Sequence, residues 1–233
     1  MKYYYDLHIH SALSPCGDMD MTPNNIVNMS VIKGLDIIAI SDHNSVGNVR
    51  SAMEVAKDKP IVVVPAMEIE TSEEVHMLCL FPDIDSAEKA EAELKTKFPF
   101  IKNRPEIFGE QVFMDSEDEI TGYEEQLLVT ATTLAIDDVK ALADKVGGVA
   151  IPAHVDRSSY SVLSNLGVLP NIGFNAIEVS KKTTPENYEY LHKKIIQNSD
   201  AHYLEDISEP EQQIELTECT AQALISHLKK VDK

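Results

Sequence analysis

A chain of 233 residues, 43% hydrophobic and 25% charged, has the length and composition of one soluble β/α domain with a substantial core. Its formal net charge is −19 and it carries only three arginines, Arg50, Arg104 and Arg157. That balance argues against a nonspecific grip on long nucleic acid or an anionic membrane, which needs clustered basic side chains.

Apolar strands alternate with helices along the chain. Residues 3–8 read as a strand, entered so close to the N-terminus that no secretory signal is expected. Thr22 and Pro23 form a helix start and Lys33-Gly34 its stop. A strand over 35–40, a helix over 45–58 and strands over 61–67 and 75–81 follow. After them come helices over 85–97 and 136–146, strands over 149–153 and 176–179, a helix over 187–194, a short strand over 195–197 and a closing helix over 220–230. This order predicts a mostly parallel sheet covered on its outer side. Residues 98–129 break the rhythm and read as an insertion with a partial hairpin, either a surface excursion or a lid or oligomer contact. The apolar runs are too short to span a bilayer. Cys16, Cys79 and Cys219 have no paired spacing, which suggests a reducing, cytoplasmic setting.

Six of the eight histidines fall at expected strand ends, most of them beside carboxylates. His8 and His10 are two residues apart, which puts both on one face of an extended segment. His43 follows Asp42, His76 opens a strand just after the one bearing Glu68, His154 ends another, and His202 follows Asp200. One such histidine is unremarkable as a hydrogen-bonding residue. Five clusters in register with five strands point to a multinuclear metal site, because neutral imidazole and carboxylate form the ligand set of Zn, Mn or Fe. His192 and His227 lack carboxylate neighbours and read as surface residues.

Residues 6–11 (Asp-Leu-His-Ile-His-Ser), 40–44 (Ile-Ser-Asp-His-Asn), 67–69 (Met-Glu-Ile), 153–154 (Ala-His) and 199–202 (Ser-Asp-Ala-His) resemble, in order, the motifs of the polymerase and histidinol phosphatase (PHP) superfamily. The resemblance spans nearly the whole chain and is nearest to stand-alone PHP phosphoesterases. It implies a single domain over residues 1–233, a distorted seven-stranded β/α barrel of TIM-like form, and phosphoester hydrolysis with two or three divalent ions. It also implies that His8, His10, Glu68 and Asp200 hold one ion, with Glu68 bridging to a second held by His76 and His154. His43 and His202 would hold a third. The remaining ligand of that third ion is open among Asp18, Cys16 and Asp20, because the loop over residues 11–23 is longer than the common version. Counting back from Thr22-Pro23 favours Asp18.

The ligand set predicts hydrolysis by metal-activated water, with no separate nucleophile. Asp42 is expected to orient a ligand imidazole or move a proton, or else to cap the helix after it. Arg157 is expected to clamp a substrate phosphate, and Glu178 to shape the pocket or support a ligand. The expected substrate is a small phosphorylated molecule, a nucleotide or a short oligonucleotide end. Two alternatives are a metal hydrolase of amidohydrolase type, which would bring a lysine at a strand end, and a silent metal-binding domain.

Overall fold

Strand β1 (Lys2–Ile9) starts exposed and ends in five consecutive buried residues, so it enters the core as a strand covered on both faces. In the computed structural model, which describes residues 1–231, α1 (Pro23–Lys33), β2 (Ile37–Ile40), α2 (Val49–Ala56), β3 (Val62–Glu70), β4 (His76–Leu80) and α3 (Ile84–Lys95) follow it. The region after α3 holds α4 (Pro105–Phe108), β5 (Val112–Met114) and β6 (Ile120–Tyr123). The chain then runs through α5 (Ile136–Lys145), β7 (Val149–Pro152), α6 (Val162–Leu166), β8 (Ala176–Ser180), β9 (Lys194–Asn198), β10 (Gln213–Glu215) and α7 (Ala221–Lys229).

One six-stranded sheet has the order β10-β1-β2-β3-β4-β7, and β8 and β9 form a separate parallel pair. Period-two alternation gives the sheet two apolar faces. Ile37, Ala39, Val64, Ala66, Leu78 and Leu80 pack with Leu224 and Leu228 of α7. Ile38, Ile40, Val63, Met77 and Cys79 point the other way, against residues of α1, α2, α3 and α5. The result is a mixed α/β fold with a curled, half-barrel sheet. The seven barrel strands implied by the motif resemblance are not joined into one continuous hydrogen-bonded sheet. The β8–β9 pair instead meets its neighbours through scattered bonds, Val155 N–H to Glu178 O (2.9 Å) on one side and, on the other, His10 N–H to Ala201 O (2.9 Å), Ala201 N–H to His8 O (3.2 Å) and Leu7 N–H to Asn198 Oδ1 (2.9 Å).

The mostly parallel sheet expected from the sequence needs a correction. β1, β2 and β3 are parallel, but β4 runs antiparallel to both β3 and β7, and β10 antiparallel to β1. Only a short loop separates β3 from β4, too short for the crossover that a parallel pair requires. Several element bounds also differ. Helix α1 has the expected caps, with Thr22 Oγ1 accepting from Asn25 N–H and Gly34 left-handed at φ 83°. Helix α2 starts only at Val49 because residues 45–48 are engaged elsewhere: Ser45 Oγ donates to Glu91 (2.6 Å), and the Asn48 amide bonds Ser11 Oγ and Val112 O. The expected helix over 187–194 is a 3-10 segment, Pro185–Leu191, ended by His192 at φ 53°.

The 98–129 segment is docked on the domain. It contains the β5–β6 hairpin, and Val112 N–H reaches Ala12 O (3.0 Å). Met114 N–H bonds Asn48 Oδ1 (2.9 Å), and Asn44 Nδ2 donates to Leu128 O (2.7 Å). Gly109, at φ 101°, lies so near Pro15 that a Cβ would stand 2.3 Å from the Pro15 carbonyl oxygen, so no larger residue fits there. Among the described residues, no helix is long and apolar enough to cross a membrane.

Candidate metal centre

Strand direction explains how distant residues meet. β1, β2, β3 and β7 share one direction, so His8 and His10, His43, Glu68 and His154 gather where those strands end. β4 runs the opposite way, so its first residue, His76, lies at that same end, paired with Glu70. β9 delivers Asp200 and His202 beside β1 through the Ile9–Ala201 bridge. Ligand positions take unusual backbone there: His154 has φ 28° and Asp200 φ 51°, conformations that cost non-glycine residues about 1–3 kcal/mol each.

Glu68 is the hub. Its Oε1 lies 2.9 Å from His76 Nδ1, 3.1 Å from His154 Nε2 and 3.3 Å from His8 Nε2, while Oε2 lies 3.1 Å from His43 Nδ1 and 3.5 Å from His10 Nε2. Asp200 Oδ1 lies 3.0 Å from His10 Nε2 and 3.4 Å from His8 Nε2. Donor atoms fall into three close groups among the described residues: His8, His10 and Asp200; His43, Glu68 and His76; and His10, Cys16, His43 and His202.

The outer partners assign the tautomers of three imidazoles. His8 Nδ1 faces both Glu178 oxygens at 3.0 Å, His10 Nδ1 faces Ser14 Oγ at 3.0 Å, and His202 Nδ1 faces the Asp200 carbonyl at 2.8 Å. Each Nδ1 therefore carries its proton outward and leaves a bare Nε2 lone pair on the inside. Inside, His8 Nε2 stands 3.2 Å from His10 Nε2 with two carboxylates around the pair. Acceptors crowded against acceptors repel unless cations lie between them. His43 Nδ1, His154 Nδ1 and Asp200 Oδ1 are also buried without a hydrogen-bond partner. These residues fit divalent ions.

The charges of the cluster are strongly coupled. Burial would raise Glu68, but His76, His8 and His43 outweigh it and hold its carboxyl well below the usual range. Burial likewise opposes protonation of His8, yet Glu178, Glu68 and Asp200 hold that imidazole well above its ordinary value. Burial, with His10 beside it, lowers His202 to about 4. Protons and metal ions thus compete for the same nitrogens.

The loop after His10 settles where its candidate ligands lie. Cys16, although exposed as a residue, lines the pocket above the cluster. Desolvation of its thiol, then Glu68 and Asp200, raise its pKa. Asp18, the position favoured by counting along the sequence, is not in any donor group: its Oδ1 accepts the Asp20 N–H (2.8 Å), and its own N–H donates to His202 O (2.9 Å). The carboxylate is spent on an Asx turn, and the tight turn closed by Gly17 N–H to Ser14 O (2.9 Å) presents Cys16 instead. Asp20 is exposed.

Asp42 neither touches an imidazole nor caps α2. It is fully buried and accepts from Ser11 N–H (2.7 Å), Ser11 Oγ (2.5 Å) and Ser14 Oγ (2.6 Å). It therefore reaches His10 only through Ser14. Arg157 does lie at the site, half-exposed, with Nη1 2.6 Å from Asp200 Oδ2. It lines a pocket of about 220 Å³ together with Cys16, Glu70, Tyr160 and the inner imidazoles. Tyr160 and Glu70 were not singled out from the sequence. Tyr160 stacks on His76 at 4.8 Å and holds φ 53°, and nothing in its sequence neighbours signals that. Glu70 was legible, since two residues after Glu68 on a strand means the same face. His192 and His227 are in neither the pocket nor a donor group.

No family model matches the chain. A 5'-3' exoribonuclease from Haemophilus influenzae is 31% identical over 72 residues, which are 31% of this chain and 25% of that protein. An uncharacterized protein from Methanocaldococcus jannaschii is 34% identical over 90 residues, 39% of this chain and 11% of that one. The chain thus matches a quarter or less of these curated relatives. Among solved structures, Endonuclease Q from Pyrococcus furiosus superposes with a TM-score of 0.68 at 18% identity, covering 98% of this chain and 56% of that one. Another Endonuclease Q structure holds a 27-mer duplex with an abasic lesion at its active site. A two-domain Bacteroides vulgatus protein containing a predicted PHP-like metal-dependent phosphoesterase gives 0.62 at 15% identity, over 98% and 63% of the two chains. An amidohydrolase from Chromobacterium violaceum, bound to sulfate, gives 0.57 at 17% identity, over 97% and 96%.

The chain shares its fold with these solved structures.

Proposed function

We propose that this chain is a PHP-type phosphoesterase, one domain with an insertion at about 98–129. It hydrolyses a phosphomonoester or terminal phosphodiester of a small phosphorylated molecule, nucleotide or short oligonucleotide. The observation that carries this reading is the inward convergence of bare imidazole lone pairs and the Glu68 and Asp200 carboxylates, a pattern that fits two or three Zn, Mn or Fe ions. Bound divalent ions supply a water of lowered pKa and neutralise charge growing on the phosphoryl oxygens.

The protein's own groups do the rest. Glu178 and Ser14 fix the rings of His8 and His10 so that Nε2 faces the site. Glu68 and Asp200 provide the negative charge that holds cations together in a buried pocket. Arg157, at the pocket wall, pairs with Asp200 through one arm; its guanidinium carries further donors able to bind a phosphate oxygen. The same pocket, walled also by Tyr160 and Val129, leaves room beside the cluster for a substrate phosphate.

Purified protein reconstituted with Zn or Mn is expected to hold two or three ions per chain by elemental analysis, and to turn over phosphomonoesters or terminal nucleotides in a panel of mono- and diesters. At most one ion per chain would defeat the multinuclear reading. The duplex complex of an Endonuclease Q neighbour favours a second reading, cleavage within long DNA. With a net charge of −19 the attraction falls to the ions and Arg157, so short substrates should win. Long duplex emerging as the best substrate would reverse that order. The amidohydrolase reading is favoured by the Chromobacterium violaceum neighbour, but among the described residues no lysine lines the pocket, and activity on amides with none on phosphoesters would be its mark.

Arg157→Ala should raise KM or lower kcat/KM about ten- to a hundredfold, the loss of about 1.5–3 kcal/mol for a charged hydrogen bond, with bound metal unchanged. Unaltered kinetics would remove Arg157 from the substrate site.

A further inference from the structure

We propose that Cys16 is a metal ligand, and that with His43 and His202, beside His10, it forms a thiolate-bearing subsite that selects zinc over manganese. The inference rests on the metal-centre reading above and deepens it.

Four donors meet here: the Cys16 sulfur and one nitrogen each from His10, His43 and His202 all lie within 4.8 Å of one another. A tetrahedral shell with bonds of about 2.0–2.3 Å spaces its donors by roughly 3.3–3.8 Å, so small side-chain shifts suffice to close it. Independent features point the same way. His43 Nδ1 is buried without a hydrogen bond, its nearest carboxylate being Glu68 Oε2 at 3.1 Å, and His202 spends its Nδ1 proton on the Asp200 carbonyl, leaving Nε2 for a ligand. The rings of His10 and His202 stack at 4.4 Å and those of His10 and His43 lie 4.6 Å apart, which gathers three imidazoles around one point. The other loop candidates are committed elsewhere, Asp18 to its own turn and Asp20 to the exposed side.

The backbone presents the thiol firmly. The turn over residues 14–17 is closed by its own hydrogen bond, and Asp18 N–H ties the next residue to the His202 carbonyl. Gly17 has no room for a side chain, since a Cβ there would stand 2.4 Å from Ser11 O. Cys16 and His202 are thereby fastened to one another through main chain. On binding, a sulfur–metal bond forms and the S–H proton leaves to solvent. Thiolate is a soft ligand that favours zinc, whereas manganese prefers oxygen donors, so this corner of the cluster differs in preference from the groups built on Glu68 and Asp200.

The test uses the full-length protein stripped with a chelator and reloaded with cobalt(II) or zinc. Wild type should show an intense near-ultraviolet sulfur-to-cobalt charge-transfer band, and Cys16→Ser should lack it and hold one ion fewer per chain, with unchanged far-ultraviolet circular dichroism. Cys16→Asp should regain the ion without the band and shift the relative affinity from zinc toward manganese by at least tenfold. Wild type fully loaded with cobalt but without the band, or Cys16→Ser retaining every ion at unchanged affinity, would overturn the assignment while leaving the phosphoesterase reading intact. A wild-type chain that binds no divalent ion would overturn both. Ions and band without phosphoester turnover would overturn the phosphoesterase reading alone.

Discussion

Glu68→Gln is expected to abolish activity and empty most of the metal centre while the domain stays folded. Five imidazoles point a nitrogen at its two oxygens within 3.5 Å, so the substitution removes the one negative charge they share. The amide keeps the shape of the side chain but presents an NH₂ where a lone pair is needed. Partners that only support a ligand typically cost 10–100-fold when removed; a group shared between ions should cost more than about a hundredfold in metal affinity. Elemental analysis, turnover and thermal unfolding of the same preparation check the three parts. Full metal content together with full activity would show that Glu68 is not a shared ligand.

The second large effect is expected at Asp42, far from any substrate. Asp42→Ala leaves Ser11 N–H, Ser11 Oγ and Ser14 Oγ without their buried acceptor. Hydrogen bonds to a charged group are worth about 1.5–3 kcal/mol each and do not add fully. A loss of about 3–5 kcal/mol follows, a fall in Tm on the order of 10 °C for a chain of this size. Because Ser14 Oγ also accepts from His10 Nδ1–H (3.0 Å) and from the His43 backbone N–H (3.2 Å), the His10 ring and the main chain that carries His43 lose an anchor, and metal content should fall with stability. Asp42→Asn, which keeps the shape and one acceptor, should fall between. An Asp42→Ala protein as stable and as metal-rich as wild type would show that the carboxylate does not brace the loop.

The residues that gather at the candidate site were legible because their spacing is local. His8 and His10 share a strand face by period two, and Asp200 and His202 follow the short strand read over 195–197. Strand direction was not legible, because pairing is set by partners distant in sequence. His76 could be flagged, but that it reaches the cluster from the start of an antiparallel strand depends on how β3 turns back. The path by which Asp42 acts was not legible for a related reason: it neighbours His43 in sequence, yet its carboxylate accepts from Ser11 and Ser14 and reaches His10 only through Ser14. The preference for Asp18 over Cys16 rested on residue counting, which does not show that Asp18 Oδ1 accepts the Asp20 N–H while Cys16 lines the pocket. The three-residue β10, paired only with β1, carries too few residues to show a period.

The docking of the 98–129 segment has an evolutionary and practical consequence. Its Gly109 is pressed against Pro15, its Val112 against Ala12, and Phe113 against Gly47 and Leu13, so it grips the very loop that presents Cys16. Residues 11–17 and 98–129 therefore behave as one exchangeable cassette. Lengthening the hairpin to accept a new substrate would also retune which ion sits beneath it. Grafting either half alone into a related barrel would transplant a mismatch.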